Sequence, residues 1–212
     1  MDQDSTDSEH LLRRAAAGVQ AALGALWERH RARLRQMVLL RLDRRLQGRV
    51  DPSDVLQEAY LDLAARLPDY ARDRPMSTYL WMRLVTGQRL AQVHRQHLGA
   101  ALRDAGREVS LYRGAYPQAS SASLAAQLLG RFTTASQAAI RAERQLQLQE
   151  ILNALDPMDR EILALRHFEG LSNGEAAEVL GLSKSAASNR YIRALGRLRD
   201  LLEHVPGFSD GG

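Results

Sequence analysis

The chain has 212 residues, and because it contains no cysteine, disulfide bonds and thiolate metal sites are excluded. Hydrophobic residues make up 45 % of the chain but aromatic residues only 5 %, and the prevalence of Leu, Ala and Arg favours helices over strands. The formal net charge is +4, with eight arginines and one acid over residues 29–49, and five cations and no acid over residues 183–199.

The N-terminal end of the chain shows no targeting or membrane signal. Residues 1–9 are acidic and polar, and residues 1–17 are expected to form a disordered or frayed tail. The longest apolar runs, such as Met37 to Leu40, are far shorter than the roughly 20 residues that a membrane span needs. We therefore expect a cytoplasmic protein with no membrane insertion.

Residues 18–100 are expected to form a first helical module. Apolar side chains recur at helical spacing from about Gly18 to Leu46. A new helix is predicted to start at Asp51, whose carboxylate can cap free amides and which precedes a proline suited to the first helical position. We expect Pro68 to end that helix. A further helix is predicted from about Ser77 to His97.

Residues 101–141 are expected to be a flexible linker, since much of this stretch is rich in Ser, Ala and Gln and carries few charges. A weak or partial helix is predicted within it, around Leu124 to Leu129. Helical periodicity returns over residues 142–205, which are expected to form a second module, with residues 206–212 as a tail. The predicted fold is all-α, with two small helical domains joined by a flexible linker.

The second module has the pattern of a helix-turn-helix, predicted to run from Asn173 to Ile192. Ser172 and Glu175 have the spacing of a capping box at the start of a helix. Gly181 can take the left-handed conformation of a tight turn, and Ser183 is expected to cap the long last helix. Small residues on both helices allow them to approach closely. The alternative is an ordinary helical hairpin with a solvated basic face.

The outward face of the last helix has the side chains of a DNA-reading surface. Its basic cluster favours a polyanionic partner through Coulomb attraction and counterion release. Asn189 can form two hydrogen bonds to adenine, whereas Arg190 or Arg193 can read guanine or hold phosphate. Arg197 is expected to contact phosphate. The predicted DNA-binding residues are Lys184, Ser185, Ser188, Asn189, Arg190, Arg193 and Arg197.

The helix that starts at Asp51 carries four side chains on one face, at positions i, i+3, i+4 and i+7. These are Asp54, Gln57, Glu58 and Leu61. The segment DVLQEAYL over residues 54–61 resembles the signature helix of sigma-70-family factors. The stretch from Leu155 to Leu202 resembles the domain with which that family reads the upstream promoter element. With two modules and no middle domain, the chain resembles the compact extracytoplasmic-function (ECF) group.

This resemblance implies a sigma factor that binds core RNA polymerase and directs transcription initiation at a specific set of bacterial promoters. The four-residue face would dock on the clamp helices of the polymerase. The helix from Ser77 to His97 matches in position the part of sigma factors that melts and holds the downstream promoter element. The candidate residues there are Tyr79, Trp81, Arg83, Arg89, Gln92 and Arg95. Factors of the group that the chain resembles are often held by an anti-sigma factor, which is therefore a candidate partner, but no residue of the sequence identifies one.

Two of these candidates have a second interpretation. Tyr79 and Trp81 either offer stacking surfaces for unpaired bases or lie in the hydrophobic core.

His94 and His97 are three residues apart, and because no third ligand is evident we interpret them as a surface pair. No catalytic constellation or phosphate-binding loop is apparent, so we predict no enzymatic activity, cofactor or metal.

Two other functions fit parts of the pattern. A polymerase-independent helix-turn-helix transcriptional regulator would bind its operator alone and usually as a dimer. A sigma factor, in contrast, is expected to be a monomer that is inactive without core enzyme. A helical adaptor that regulates other sigma factors through protein contacts would not need a last helix that is basic and free of acids over residues 183–199.

Overall fold

The computed structural model describes residues 3–98, 117–130 and 138–203, and within these ranges the secondary structure is helical, with no β-strand. The chain divides into two compact units, Met1–Pro117 and Gln118–Gly212. The predicted all-α fold with two helical domains is confirmed. Residues 99–116, 131–137 and 204–212, which include most of the expected linker and the expected C-terminal tail, lie outside the described residues.

The helices follow in chain order. The first unit contains α1 (Gln3–Ala16), α2 (Gln20–Arg41), a 3-10 turn (Arg44–Leu46), α3 (Pro52–Asp73) and α4 (Thr78–Leu98). The second unit contains α5 (Ser121–Gly130), α6 (Ala138–Ala154), α7 (Pro157–Leu163), a π turn (Ala164–Phe168), α8 (Asn173–Leu180) and α9 (Lys184–Glu203). Within the described ranges, none of these helices combines the length and the apolar character needed to cross a bilayer.

The core of the first unit lies where α2 packs against α1, α3 and α4. Leu26 and Leu34 of α2, Leu63 of α3 and Leu90 of α4 are fully buried. Their burial removes apolar surface from water, which supplies the main driving force for docking amphipathic helices.

Helix α1 corrects the expectation of a disordered or frayed tail over residues 1–17. Leu12 is fully buried, and Ser8 Oγ lies 3.1 Å from Nε2 of the buried His30. Arg29 donates to Asp7 at 3.3 Å. The polar composition of this segment was misleading, because its acidic and hydroxyl groups find partners on other helices of the same unit.

Helix α3 begins as predicted but ends later. The Asp51 carboxylate accepts the Ser53 amide at 2.7 Å, and a proline follows in the first turn. The prediction that Pro68 ends the helix was wrong, since α3 continues to Asp73. A proline removes the hydrogen bond to the carbonyl four residues earlier. That carbonyl belongs to the exposed Ala64, where water can replace the lost donor, while Leu67 and Tyr70 remain buried on either side of the proline.

Helix α5 belongs to the second unit, although it lies within the expected linker. The helix predicted around Leu124 to Leu129 is confirmed, and it packs against α6 with Leu124 and Leu129 buried. The Ala119 amide donates to Glu161 at 3.0 Å, which anchors the chain just before α5 to α7. Residues 118–130 are therefore part of the second unit, in contrast to the flexible linker expected over 101–141.

Candidate functional site

The frame of the helix-turn-helix is built from local capping bonds. Ser172 Oγ accepts the Glu175 amide at 3.2 Å, and the Glu175 carboxylate accepts the Ser172 amide at 2.8 Å. Helix α8 ends at Gly181, which has φ 61° and ψ 39°. Ser183 Oγ then accepts the Ala186 amide at 3.1 Å and caps α9. The predicted helix-turn-helix is confirmed. The cap at Ser183 fixes the residue at which its second helix begins.

One face of α9 is exposed along its length. Ser185, Asn189 and Arg193 lie on it at successive four-residue intervals and are exposed, as the sequence analysis predicted. Lys184 is exposed at the start of α9, and Ser188 is half-buried at the edge of the face.

Ile192 belongs to the same face and was missed as a candidate. Its side chain is 63 % exposed, which is unusual for an isoleucine in a packed unit. An apolar side chain at this place can contact the methyl group of thymine in a major groove. The signal was present in the sequence, because Ile192 follows Ser185 by seven residues and therefore shares its face.

Arg190 and Arg197 lie on a stripe at the edge of that face and contact a carboxylate of α7, and their assignment as DNA-contacting residues stays a prediction. Nη1 of Arg190 donates to Asp159 Oδ1 at 2.7 Å, and Nη1 of Arg197 donates to Asp159 Oδ2 at 2.6 Å. The Asp159 side chain is only 4 % exposed. Both guanidinium groups are thus directed towards α7, where a buried carboxylate needs their charge.

A second contact holds Arg190 at the start of α7. Its Nη1 also lies 3.2 Å from Oδ1 of Asp156, the capping residue of that helix. The Met158 amide, which donates to the Asp156 carboxylate, is the main cause of the lowered pKa of this group, and Arg190 contributes to the shift. The start of α7 therefore holds two carboxylates that attract the arginines of α9.

The four residues predicted to contact a protein partner lie together on α3. Asp54, Gln57, Glu58 and Leu61 are all exposed, and Leu61 has 62 % of its surface accessible. The opposite side of α3 is buried against the rest of the first unit. A polar face with one exposed apolar residue suits a partner helix pair that carries basic groups.

A groove between α2 and α3 borders this face and was not foreseen. Its lining includes Gly24, Trp27, Gln57 and Tyr60. The rings of Trp27 and Tyr60 meet edge to face, with their centroids 5.5 Å apart. Gln57 belongs to both the groove and the exposed face, so the two surfaces are continuous.

Three of the predicted downstream-element residues are buried, which corrects their assignment as base-contacting side chains. Trp81 is 6 % exposed and stacks on Tyr70, with centroids 4.0 Å apart and planes 4° from parallel. Tyr79 is 5 % exposed, and its ring is covered by Arg33, 3.7 Å from the centroid. Arg83 is 2 % exposed. The aromatic faces are used inside the unit, as the core interpretation of Tyr79 and Trp81 predicted.

The remaining candidates on α4 are accessible to different degrees. Arg95 is exposed and Gln92 is half-buried. Nη1 of Arg89 lies 3.3 Å from the Glu58 carboxylate of α3, and its Nε and Nη2 atoms contact Asp62. Arg89 therefore connects α4 to the exposed face of α3.

His94 is buried, which corrects the interpretation of His94 and His97 as a surface pair. Its Nε2 atom accepts the backbone amide of Asp43 at 3.2 Å, so this nitrogen carries no proton. Burial lowers the pKa of His94, an effect that the Asp43 carboxylate opposes and Arg45 reinforces. In the part of the chain that the structure describes, no three histidine or acidic side chains are grouped as metal ligands.

Comparison with known proteins identifies similar chains. The family model of Sigma-70, region 4 matches residues 145–198. The ECF RNA polymerase sigma factor SigD of Mycobacterium tuberculosis is 31 % identical over 192 residues, which are 88 % of this chain and 79 % of SigD. The RNA polymerase sigma factor NccH of Alcaligenes xylosoxydans xylosoxydans is 28 % identical over 207 residues, covering 94 % of this chain and 97 % of NccH.

A longer relative and one solved structure complete the comparison. The probable RNA polymerase sigma factor RfaY of Xanthomonas campestris pv. campestris is 28 % identical over 214 residues, and the chain spans 48 % of its length. The structure of CnrH in complex with the cytosolic domain of CnrY is similar, with a TM-score of 0.56 and 25 % identity. The match covers 97 % of this chain and 99 % of that one.

Proposed function

The chain belongs to the sigma-70 family of RNA polymerase sigma factors, in its ECF group, and from this membership we propose that it directs core RNA polymerase to a specific set of promoters and starts transcription there. The observation that carries the proposal is the presence of two different exposed helix faces in one chain. One is the exposed face of α3, and the other is the exposed face of α9 in the helix-turn-helix.

We propose that α3 binds the clamp helices of core polymerase. Asp54 and Glu58 supply negative charge to this interface. Gln57 supplies hydrogen-bonding groups, and Leu61 supplies an apolar anchor. Complementary charge between partners speeds association and fixes register, while an apolar residue at the centre of an interface carries much of the affinity.

We propose that α9 reads the upstream promoter element in the major groove. Asn189 has the geometry for adenine, Arg193 for guanine or phosphate, and Ile192 for the thymine methyl group. Lys184, Ser185 and Ser188 complete the contact surface at the start of the helix. For the downstream element the surface of α4 supports a smaller set than the sequence predicted, with Arg95 and Gln92 accessible and Arg89 at the border with α3.

The proposed activity consists of binding and involves no covalent step, so we propose that the chain is not an enzyme. Capture of unpaired bases shifts the duplex equilibrium by binding energy alone. An anti-sigma factor is the proposed protein regulator. The complex of the similar CnrH with the cytosolic domain of CnrY supports a partner of this kind.

Run-off transcription with purified core polymerase over a promoter library tests the function. The wild-type chain is expected to give transcripts from a subset of promoters, and Glu58→Arg to lose them because it reverses a charge on the α3 face. Glu150→Arg makes the same charge change on an exposed residue of α6 and serves as the control. Promoter-selective DNA binding without core polymerase, together with no affinity for core, would overturn the proposal in favour of a polymerase-independent regulator.

A further inference from the structure

Four of the five cations of α9 fall into two groups that differ in their partners, and the fifth, Arg199, contacts Asp200 and Glu203 of the same helix. Lys184 and Arg193 have no carboxylate partner among the described residues, and both are exposed. Arg190 and Arg197, seven residues apart on one stripe of the helix, both pair with Asp159 of α7. A single carboxylate thus neutralises half of the charge that two arginines of the recognition helix would otherwise offer.

The burial of Asp159 makes these pairs persistent. Its side chain is 4 % exposed, each of its oxygens accepts one guanidinium N–H, and the shorter contact is 2.6 Å. Loss of both arginines would leave Asp159 as an uncompensated buried charge, which favours the paired arrangement even though 59 % of the Arg197 side chain is exposed. Arg190 is held most firmly, since Asp156 also contacts it and only 29 % of its side chain is exposed.

The pairs also fix the rotation of α9 about its own axis. Ala187 and Ala194 are fully buried and lie beside the stripe of Arg190 and Arg197. The two charged contacts to one carboxylate, together with the 2.8 Å hydrogen bond between Tyr191 Oη and His167 Nε2, hold α9 in one rotation. As a result, the face that carries Asn189 and Arg193 points away from the rest of the second unit.

We infer that Asp159 is a positioning residue for promoter selectivity, which withholds Arg190 and Arg197 from DNA phosphates and leaves recognition to Lys184, Asn189 and Arg193. This inference rests on the proposed function of α9. Phosphate contacts raise affinity for any sequence, whereas base contacts discriminate between sequences. A carboxylate that removes two phosphate-seeking arginines therefore lowers binding to non-promoter DNA more than it lowers binding to the promoter.

The number of arginines that contact phosphate can be measured from the salt dependence of the affinity for DNA. Each phosphate contact contributes about 0.9 to the slope of log affinity against log salt concentration. The experiment uses holoenzyme assembled from core polymerase and the full chain, with a promoter duplex chosen by the run-off assay and a scrambled duplex of equal length. Two matched pairs of variants are compared: Arg193→Gln with Arg197→Gln, and Asp159→Asn with Glu150→Gln.

The inference predicts a different result within each pair. Arg193→Gln flattens the slope by about 0.9, whereas Arg197→Gln leaves it unchanged, because Arg197 makes no phosphate contact in the wild type. Asp159→Asn steepens the slope by about 1 to 2 and reduces the ratio of promoter to scrambled affinity. Glu150→Gln removes one negative charge from an exposed residue of α6 and changes neither quantity appreciably.

Several outcomes would overturn the inference. A slope that flattens equally for Arg197→Gln and Arg193→Gln shows that Arg197 already contacts phosphate. An unchanged slope for a folded Asp159→Asn shows that no arginine was withheld. If circular dichroism shows that Asp159→Asn does not fold, the arginine pair decides alone. A wild-type holoenzyme that does not select a promoter refutes the proposed function instead.

Discussion

Arg89 of α4 and Asp62 of α3 form a two-point ion pair, in which Nε and Nη2 donate to the two carboxylate oxygens at 2.8 and 2.6 Å. Both side chains are largely buried, with 19 % and 23 % of their surface accessible. The contact joins the helix proposed to bind polymerase to the helix proposed to face the downstream element. Its geometry is that of the stronger, charge-assisted hydrogen bonds.

Replacing Asp62 with Asn is expected to lower the free energy of unfolding by about 1–3 kcal/mol, because the charge-assisted bonds are weakened and Arg89 keeps only its longer contact with Glu58. Asp69→Asn is the matched control on the same helix, since its contact with Arg72 is 3.1 Å but both side chains are highly exposed. The control is expected to change stability little. Urea unfolding of the full chain measures both, and equal effects would contradict the structural role of Asp62.

Leu61→Ser is expected to weaken binding to core polymerase about tenfold, which corresponds to the loss of roughly 1.4 kcal/mol at an apolar anchor. Leu146→Ser in α6 is the control, because its side chain is exposed to nearly the same extent, 59 % against 62 %. Neither change should lower thermal stability appreciably. Titration of labelled chain with core enzyme gives the affinities, and an equal loss for both variants would remove Leu61 from the interface.

The stability of the first unit is expected to depend on the protonation of His94. Its pKa in the folded chain lies below the ordinary value of 6.5, mainly because of burial. Between these two pKa values the unfolded chain binds more protons, so this contribution to stability is complete above the ordinary pKa. It decreases as the pH falls through about 6.5 and stops decreasing below the folded pKa.

His94→Gln removes this pH dependence, while the glutamine carbonyl oxygen can still accept the Asp43 amide. The measurement is the difference in melting temperature between wild type and variant at several pH values from about 7.5 to about 5. The other histidines are present in both proteins and cancel in the difference. Parallel curves for the two proteins would show that His94 does not titrate in this range.

Two glycines at either side of the start of α2 are expected to respond oppositely to substitution by alanine. Gly24 lies inside the helix, and a β-carbon added there would meet no neighbouring atom within 4 Å, so Gly24→Ala should stabilise the chain by about 0.5–1 kcal/mol. Gly18 has equally open surroundings but φ 89°. Gly18→Ala should therefore destabilise it by about 1–2 kcal/mol. Thermal unfolding of both variants measures the two effects, and a stabilised Gly18→Ala variant would contradict the observed turn geometry.

The helix starts could be predicted from the sequence because their bonds are local. The caps at Asp51, Asp156 and Ser172 reach amides only two or three residues away, so no knowledge of neighbouring helices is needed. The exposed face of α3 was equally predictable, since residues 54–61 have a clear apolar stripe on the opposite side. Its proposed role in binding polymerase remains a prediction.

The errors arose where contacts between helices decide the outcome. Helix α4 is buried on most sides, so its spacing did not reveal that Tyr79, Trp81 and Arg83 face inward. The ion pair of Arg190 with Asp159, a residue 31 positions away, was missed for the same reason. Helix α1 and the continuation of α3 past its proline likewise depend on partners that lie far away in the chain.

The caps of α3, α7, α8 and α9 also have a kinetic consequence. Each cap can form before any helix has docked, so helix nucleation in the denatured ensemble is biased towards the native first residue. The main remaining step of folding is then the docking of helices whose first residues are already defined. Chains whose contacts are mostly local in this way reach their native state rapidly.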